Sequence, residues 1–373
     1  MISTMKIPTA TVFLKKETIL AGPVTMNFDD KDTAEVQATY QSGEGGGTEW
    51  KVSTRHMDMG NVRALGLADA PLLNRVSGGA WRGALRLQRP PSGAGEWAGE
   101  WELLNTQLKL DGVAVPIDLQ TATISAKPEG VTLTRIRAKA GALPIAGDYR
   151  WESDAARPHR FRFQAGAADL KEVERLFVPT LVRGGGVLSR TLGLGSAPAA
   201  PEWLANRKAE GTVAFDGLTV GDVAFSGTTR LTWSGTGATL AATNAKIATA
   251  TATGELHVDL SAAAPRYQYA GTVKGVPYKG GALDFDGKAE AEGSGAALLA
   301  SIKAEGTLQG RSISATPDAE YQRAKGRFSL RMTPAGPQWN ASDLEVQRGS
   351  DILVGEAVHQ ADGKLVVKLN RAP

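Results

Sequence analysis

Four histidines, His56, His159, His257 and His359, are the side chains here suited to move protons near neutrality or to bind metal. They are spread across the whole chain, with no pair at the spacing a metal centre uses. His257 falls on the polar side of an alternating run, so the four read as surface residues. Asp29-Asp30-Lys31-Asp32 clusters carboxylates, but it lacks the glycine and terminal glutamate of a calcium-binding loop, and it reads as a turn. Cysteine is absent, which removes disulfides, thiolate nucleophiles and cysteine-ligated metals. No G-x-S-x-G, G-x-G-x-x-G or Walker A pattern occurs. Asn340-Ala341-Ser342 matches a glycosylation sequon and carries no further weight. The expectation is a protein without catalytic residues, cofactor or metal.

Charge excludes a further class. The 42 basic and 39 acidic residues are interspersed, whereas a nucleic-acid partner calls for a clustered basic face. No run of about 18 apolar residues marks a membrane-spanning helix. The opening residues, Met1 to Ala10, lack the apolar core of a signal peptide, and strand-like sequence begins at Thr11. A fragment of a longer protein is expected.

The elements are strands. Glu255-Leu256-His257-Val258-Asp259-Leu260 puts Leu256, Val258 and Leu260 on one face and the polar residues on the other, the two-residue period of a half-buried strand. Thr11–Leu14, Val24–Phe28, Glu35–Tyr40 and Glu49–Ser53 read the same way, with Gly43–Gly47 as a hairpin tip. The 44 glycines break the chain into runs of about 6–10 residues, so they act as turn punctuation. Met59–Val76 loses the period and reads as short helical turns. Turn signals also recur: Asp111-Gly112 with Asp216-Gly217 and Gly130 with Gly235 at an offset of 105 residues, Gly147 with Gly254 at 107. A recurring β unit implies a repetitive β architecture.

One interval breaks this pattern. Leu170, Val173, Leu176 and Phe177 fall at helical spacing after Asp169, a suitable N-cap. A basic, glycine-broken stretch carrying Arg183 and Arg190 follows, then a short helix at Pro201–Arg207. The chain therefore divides into a first β-rich region, 1–166, a helical boundary, 167–208, and a second β-rich region, 209–373. The boundary helix reads chiefly as a cap over a sheet end; the alternative is a segment touching a membrane surface, with Arg183 and Arg190 near head groups.

Several stretches carry a resemblance to a known family. They are Leu176-Phe177-Val178-Pro179-Thr180-Leu181, Leu188-Ser189-Arg190-Thr191-Leu192, Pro201 through Gly211, Asp216-Gly217-Leu218-Thr219-Val220-Gly221, and Leu298-Leu299-Ala300-Ser301-Ile302 with Glu305-Gly306. Over 167–306 the chain resembles the AsmA-like proteins of bacterial envelopes, related to TamB and YhdP. The resemblance implies an elongated antiparallel β-sheet curved into an apolar groove. It also implies a periplasmic protein, normally anchored to the inner membrane by an N-terminal helix absent from this chain, that moves lipid and supports outer-membrane integrity. Its partners would be phospholipid or another acyl lipid, together with inner- and outer-membrane proteins.

The physical reading is compatible. About 20–25 strands at about 4.8 Å each would form a sheet of roughly 100 Å, whose apolar face must be covered or filled. At about 0.8 kcal/mol per CH₂, a 16-carbon acyl chain carries roughly 12 kcal/mol of transfer free energy. The expected groove lining is Val213, Phe215, Leu231, Trp233, Leu256, Val258, Leu260, Tyr267, Tyr269, Leu283 and Phe285. The rival reading is an assembly scaffold that binds outer-membrane proteins by strand addition at exposed sheet edges, its apolar face being ordinary core.

Overall fold

The computed structural model describes residues 7, 9–28, 31–43, 45–65, 67, 70–181, 200–220, 222–316, 319–360 and 363–372. The protein is mainly β, with 68% strand against 8% helix. The described residues form two compact units, Met1–Gln164 and Ala165–Pro373.

In the first unit β1 (Val12–Lys15), β2 (Thr18–Asn27), β3 (Thr33–Gln41) and β4 (Gly47–Asp58) pair in sequence as antiparallel neighbours. The chain then leaves the sheet through helix α1 (Met59–Ala64) and the turns up to β5 (Val76–Ser77). It returns as β6 (Ala80–Arg89), which pairs with β4, and β7 (Glu96–Leu108), which pairs with β6 and β5. β8 (Ile117–Lys127), β9 (Gly130–Ala140) and β10 (Leu143–Glu152) continue the antiparallel order, followed by β11 (His159–Ala165).

Loss of alternation over 59–76 has a packing purpose. Met59, Val62, Leu67, Ala70, Leu73 and Val76 are buried against a sheet face that includes Trp81, Trp101, Met57 and Ile124. The segment is a lid that converts one sheet face into closed core. Asp32, from the acidic run that reads as a turn, anchors this lid and is itself buried. Its Oδ2 accepts from the Asp58 amide at 2.7 Å and from Asn61 Nδ2 at 2.8 Å, and its Oδ1 lies 3.1 Å from His56 Nδ1. His56 is thus tied to a buried carboxylate, a pairing its sequence position does not reveal.

In the second unit β12 (Ala168–Asp169) pairs in parallel with β13 (Lys208–Val220). Between them lie α2 (Leu170–Leu176), α3 (Val178–Leu181) and α4 (Glu202–Ala205). Asp169 caps α2 as expected, its Oδ1 accepting from Lys171 N at 2.8 Å. From β13 onward the sheet is an antiparallel meander. Its strands are β14 (Val223–Ser234), β15 (Gly237–Ile247), β16 (Ala250–Asp259), β17 (Arg266–Tyr278), β18 (Gly281–Glu292), β19 (Lys303–Thr316), β20 (Ala319–Thr333), β21 (Gly336–Arg348), β22 (Asp351–His359) and β23 (Leu365–Arg371). Helix α5 (Gly295–Ser301) sits between β18 and β19.

Two of the recurring turn signals do not occupy equivalent places, while Gly147 and Gly254 both lie inside strands, β10 and β16. Asp111-Gly112 is a turn between β7 and β8, whereas Asp216-Gly217 lies inside β13, where the pairing shifts between Phe215 and Leu218. Gly130 opens β9 while Gly235 forms the β14–β15 turn. A glycine serves a turn or a strand bulge equally well, so its spacing alone does not fix which.

Asp32→Ala removes the acceptor for Asp58 and Asn61 beneath the lid. It should lower stability by about 2 kcal/mol in urea unfolding of the purified chain, with the secondary structure retained.

Candidate functional site

β18 alternates without a fault: Leu283, Phe285, Gly287, Ala289 and Ala291 on one face, Asp284, Asp286, Lys288, Glu290 and Glu292 on the other. Antiparallel register carries this division across its neighbours. Leu283, Phe285, Gly287 and Ala289 stand opposite Gly310, Leu308, Gly306 and Ala304 of β19. On the other face Lys288 stands opposite Glu305, with 3.4 Å between the charged groups. Arg311–Asp284 at 3.1 Å and Lys325–Glu345 at 3.0 Å continue this ionic surface. These pairs are exposed, so they serve solubility and register more than stability.

A row of four glycines crosses the apolar face: Gly254 opposite Gly271, Gly271 opposite Gly287, Gly287 opposite Gly306. A Cβ on Gly287 would stand 2.1 Å from the Glu305 carbonyl oxygen, and one on Gly306 would stand 2.1 Å from that of Asp286. The strands approach too closely here for any side chain. Tyr269 lies over the row's first members, its hydroxyl 3.2 Å from the Thr253 carbonyl oxygen and 3.3 Å from that of Thr272. The row thus forms a trough with larger side chains on both sides.

Beside the trough lies a cavity of about 470 Å³, lined from β17 through β23. Tyr278, Phe285, Leu308, Phe328, Trp339 and Leu369 represent its wall; Lys279 and Lys288 are the charged residues on it. Phe285 and Phe328 meet edge to face at 5.1 Å, and Tyr278 meets Trp339 in the same way at 6.3 Å. Leu308, Leu344 and Val346 are buried, while Phe285, Phe328, Trp339 and Leu369 remain half-buried. Among the described residues, those packed on this cluster all belong to strands of the sheet itself.

Burial raises the pKa of three tyrosines on this face above the ordinary phenol value. For Tyr267 the charge of Glu174 adds to burial, for Tyr269 that of Asp286, and for Tyr278 burial acts alone. A neutral hydroxyl is what an apolar trough favours.

Of the residues expected to line a groove, Tyr269, Leu283 and Phe285 do line this cavity. Leu231, Leu256 and Tyr269 share one row, linked through Leu240; Leu256 is the direct neighbour of the wall residue Tyr269 but is not itself on the wall, and Leu231 lies three strands from Tyr269. Trp233, Val258 and Tyr267 form the next row through Ala238. Trp233 is engaged there: Nε1 donates to the Gly235 carbonyl at 2.6 Å, and Arg207 stacks between the Trp203 and Trp233 rings at 5.2 and 5.7 Å. Val213 stands opposite Thr229 and Phe215 opposite Gly227. Leu260 lies just past β16 and is buried.

In α2, Leu176 is buried, Leu170 and Val173 are half-buried, and Phe177 is exposed. Arg183 and Arg190 lie outside the described residues. The wall residues that sequence reasoning did not assign to the site, Leu308, Phe328, Trp339 and Leu369, sit on strands whose alternation is visible. What was missing was the register joining them to β18. Among the described residues no three His, Asp or Glu side chains converge as a metal site.

Comparison with protein-family models, curated proteins and solved structures returns no match.

Gly287→Ala and Gly306→Ala should each lower the melting temperature by several degrees, because a backbone oxygen cannot move aside. Gly217→Ala, whose Cβ would meet nothing nearer than 3.7 Å, should change it little. The tyrosines give a second test. Their folded pKa values are raised, so their contribution to stability is fully present below about pH 10 and is lost as pH rises through the folded values. Ultraviolet titration of the folded chain should show tyrosines ionising later than free tyrosine, and Tyr269→Phe should remove one of them.

Proposed function

We propose that the chain is a non-enzymatic lipid-binding or lipid-transfer module whose second unit takes acyl chains into the trough and cavity of β17–β23. One observation carries this reading: on this face Phe285, Phe328, Trp339 and Leu369 stay half-accessible around a cavity of about 470 Å³, while the counterpart face in the first unit is packed under α1 and Leu67, Ala70, Leu73 and Val76. Apolar surface of this extent favours an apolar occupant. Binding is passive. Each methylene entering the trough leaves water at about 0.8 kcal/mol, and a wall without fixed polar partners lets a chain slide. At Gly287 and Gly306 the glycine row adds no side chain to the floor. In this reading the resemblance to AsmA-like proteins supplies the setting: a periplasmic protein supporting outer-membrane lipid balance.

A scaffold role is favoured by a different observation. β1 is exposed along its length, with Leu14 78% accessible, and pairs only with β2 among the described strands. A free apolar edge suits addition of a partner's strand, as from an outer-membrane protein.

A fluorescent long-chain fatty acid should bind the wild-type chain saturably. Filling the trough with Ala289→Trp, or charging it with Phe285→Glu and Phe328→Glu together, should weaken binding by about tenfold or more. The far-UV spectrum should persist in both. Undiminished binding in folded variants of both kinds would place the ligand elsewhere.

A further inference from the structure

Two aromatic contacts cross the second unit's cavity along one diagonal. Phe285 of β18 and Phe328 of β20 meet across the single strand β19, where Leu308 stands opposite Phe285 and Gly306 opposite Phe328. The other contact spans much more. Tyr278 ends β17 and Trp339 belongs to β21, with β18, β19 and β20 between them. Tyr278 stands opposite Gly281 of β18, whereas Trp339 reaches β18 only at Ala289, through Leu330 and Ala304. On a flat sheet that offset, across the strands and along β18, would part the two residues by roughly 30 Å. Their ring centroids are 6.3 Å apart and meet edge to face. The sheet therefore curls over the cavity until these two positions touch.

The two rings are held unequally. Trp339 stacks on His359 of the neighbouring strand, the rings parallel and 5.7 Å apart, and His359 Nδ1 lies 3.3 Å from the Pro337 carbonyl oxygen. Tyr278 is carried on the tight turn into β18, where Lys279 and Gly280 both have positive φ. Trp339 is thus the fixed post and Tyr278 the arm that closes on it. The cavity wall continues on both sides of the contact, to Ile313 and Tyr321 one way and to Tyr269 and Ala304 the other.

We propose that the Tyr278–Trp339 contact is a strap across the cavity that selects unbranched acyl chains and retains them. The proposal rests on the acyl-chain reading above and adds which chains the cavity takes. A straight chain has the cross-section of one methylene along its whole length, so its segments follow one another under the closed strap. A methyl branch widens the chain, and in a packed wall that added volume must push side chains aside. Sideways release of a bound chain requires the two rings to part, so the strap acts on the dissociation rate.

The test displaces a fluorescent long-chain fatty acid from the purified chain with palmitic acid or with phytanic acid, which keeps the carboxylate and main-chain length and adds methyl branches. The wild-type chain prefers palmitic acid by about tenfold or more. Tyr278→Ala brings the two acids within about twofold of each other and speeds stopped-flow release of the fluorescent acid by about tenfold. Trp339→Leu, which breaks the same contact from the other side, does the same. Tyr278→Phe keeps the ring and changes neither result. Tyr321→Ala removes a wall ring outside the strap and keeps the preference. Far-UV spectra confirm that each variant is folded. Equal affinity for the two acids in the wild-type chain overturns the strap and leaves the acyl-chain reading standing. Preference and slow release surviving in Tyr278→Ala, or lost equally in Tyr321→Ala, also overturn the strap. Binding of neither acid by the wild-type chain overturns the acyl-chain reading and the strap with it.

Discussion

Side-chain parity across the second unit's sheet is the constraint on which the rest depends. One slipped residue in β18 would send Phe285 to the ionic face and Asp286 to the trough. Every neighbour's register is locked to that choice through direct partners: Val273, Phe285 and Leu308 on one face, Thr272, Asp286 and Thr307 on the other. Ion pairs on the charged face add penalties for slippage, because a shift would break Lys288 from Glu305 and Arg311 from Asp284. The glycine row adds a steric one, since only four aligned glycines allow these backbones to approach so closely.

The two units show what becomes of an apolar sheet face under different coverings. In the first, α1 and the following turns bring Val62, Leu73 and Val76 onto Trp81, Trp101 and Met57, and the face becomes core. In the second, the corresponding side chains stay half-accessible around a cavity of about 470 Å³. Buried Asp32 beneath the lid shows how much polar scaffolding a closed face needs. The open face needs none, and this is consistent with a floor shaped for an occupant that makes few directional contacts.

The strand-rich class was legible because a period of two is visible without any neighbour, as in Glu255–Asp259 and across β18. The α2 cap at Asp169 was legible because capping chemistry is local. Which strands build the cavity was not, because register and bulges are not local. β21 places Trp339 and Ala341 on the cavity face and then, after a shift, Leu344 and Val346, so parity changes while the face does not. β17 does the same between Val273 and Val276. A reading that follows parity alone moves to the wrong face at each such point. The glycine row was hidden for a related reason: Gly254, Gly271, Gly287 and Gly306 are 16–19 residues apart and look like turn residues until the strands are laid side by side.

The central claim is that the second unit's open face holds acyl chains. The most direct measurement is organic extraction and mass spectrometry of the chain purified without detergent from a bacterial periplasm. The account predicts phospholipid or free acyl chains in near-stoichiometric amount, depleted in the Ala289→Trp variant. A folded wild-type chain that yields no lipid, and gains none on incubation with vesicles, would mean that the face closes on its own side chains and would contradict the account.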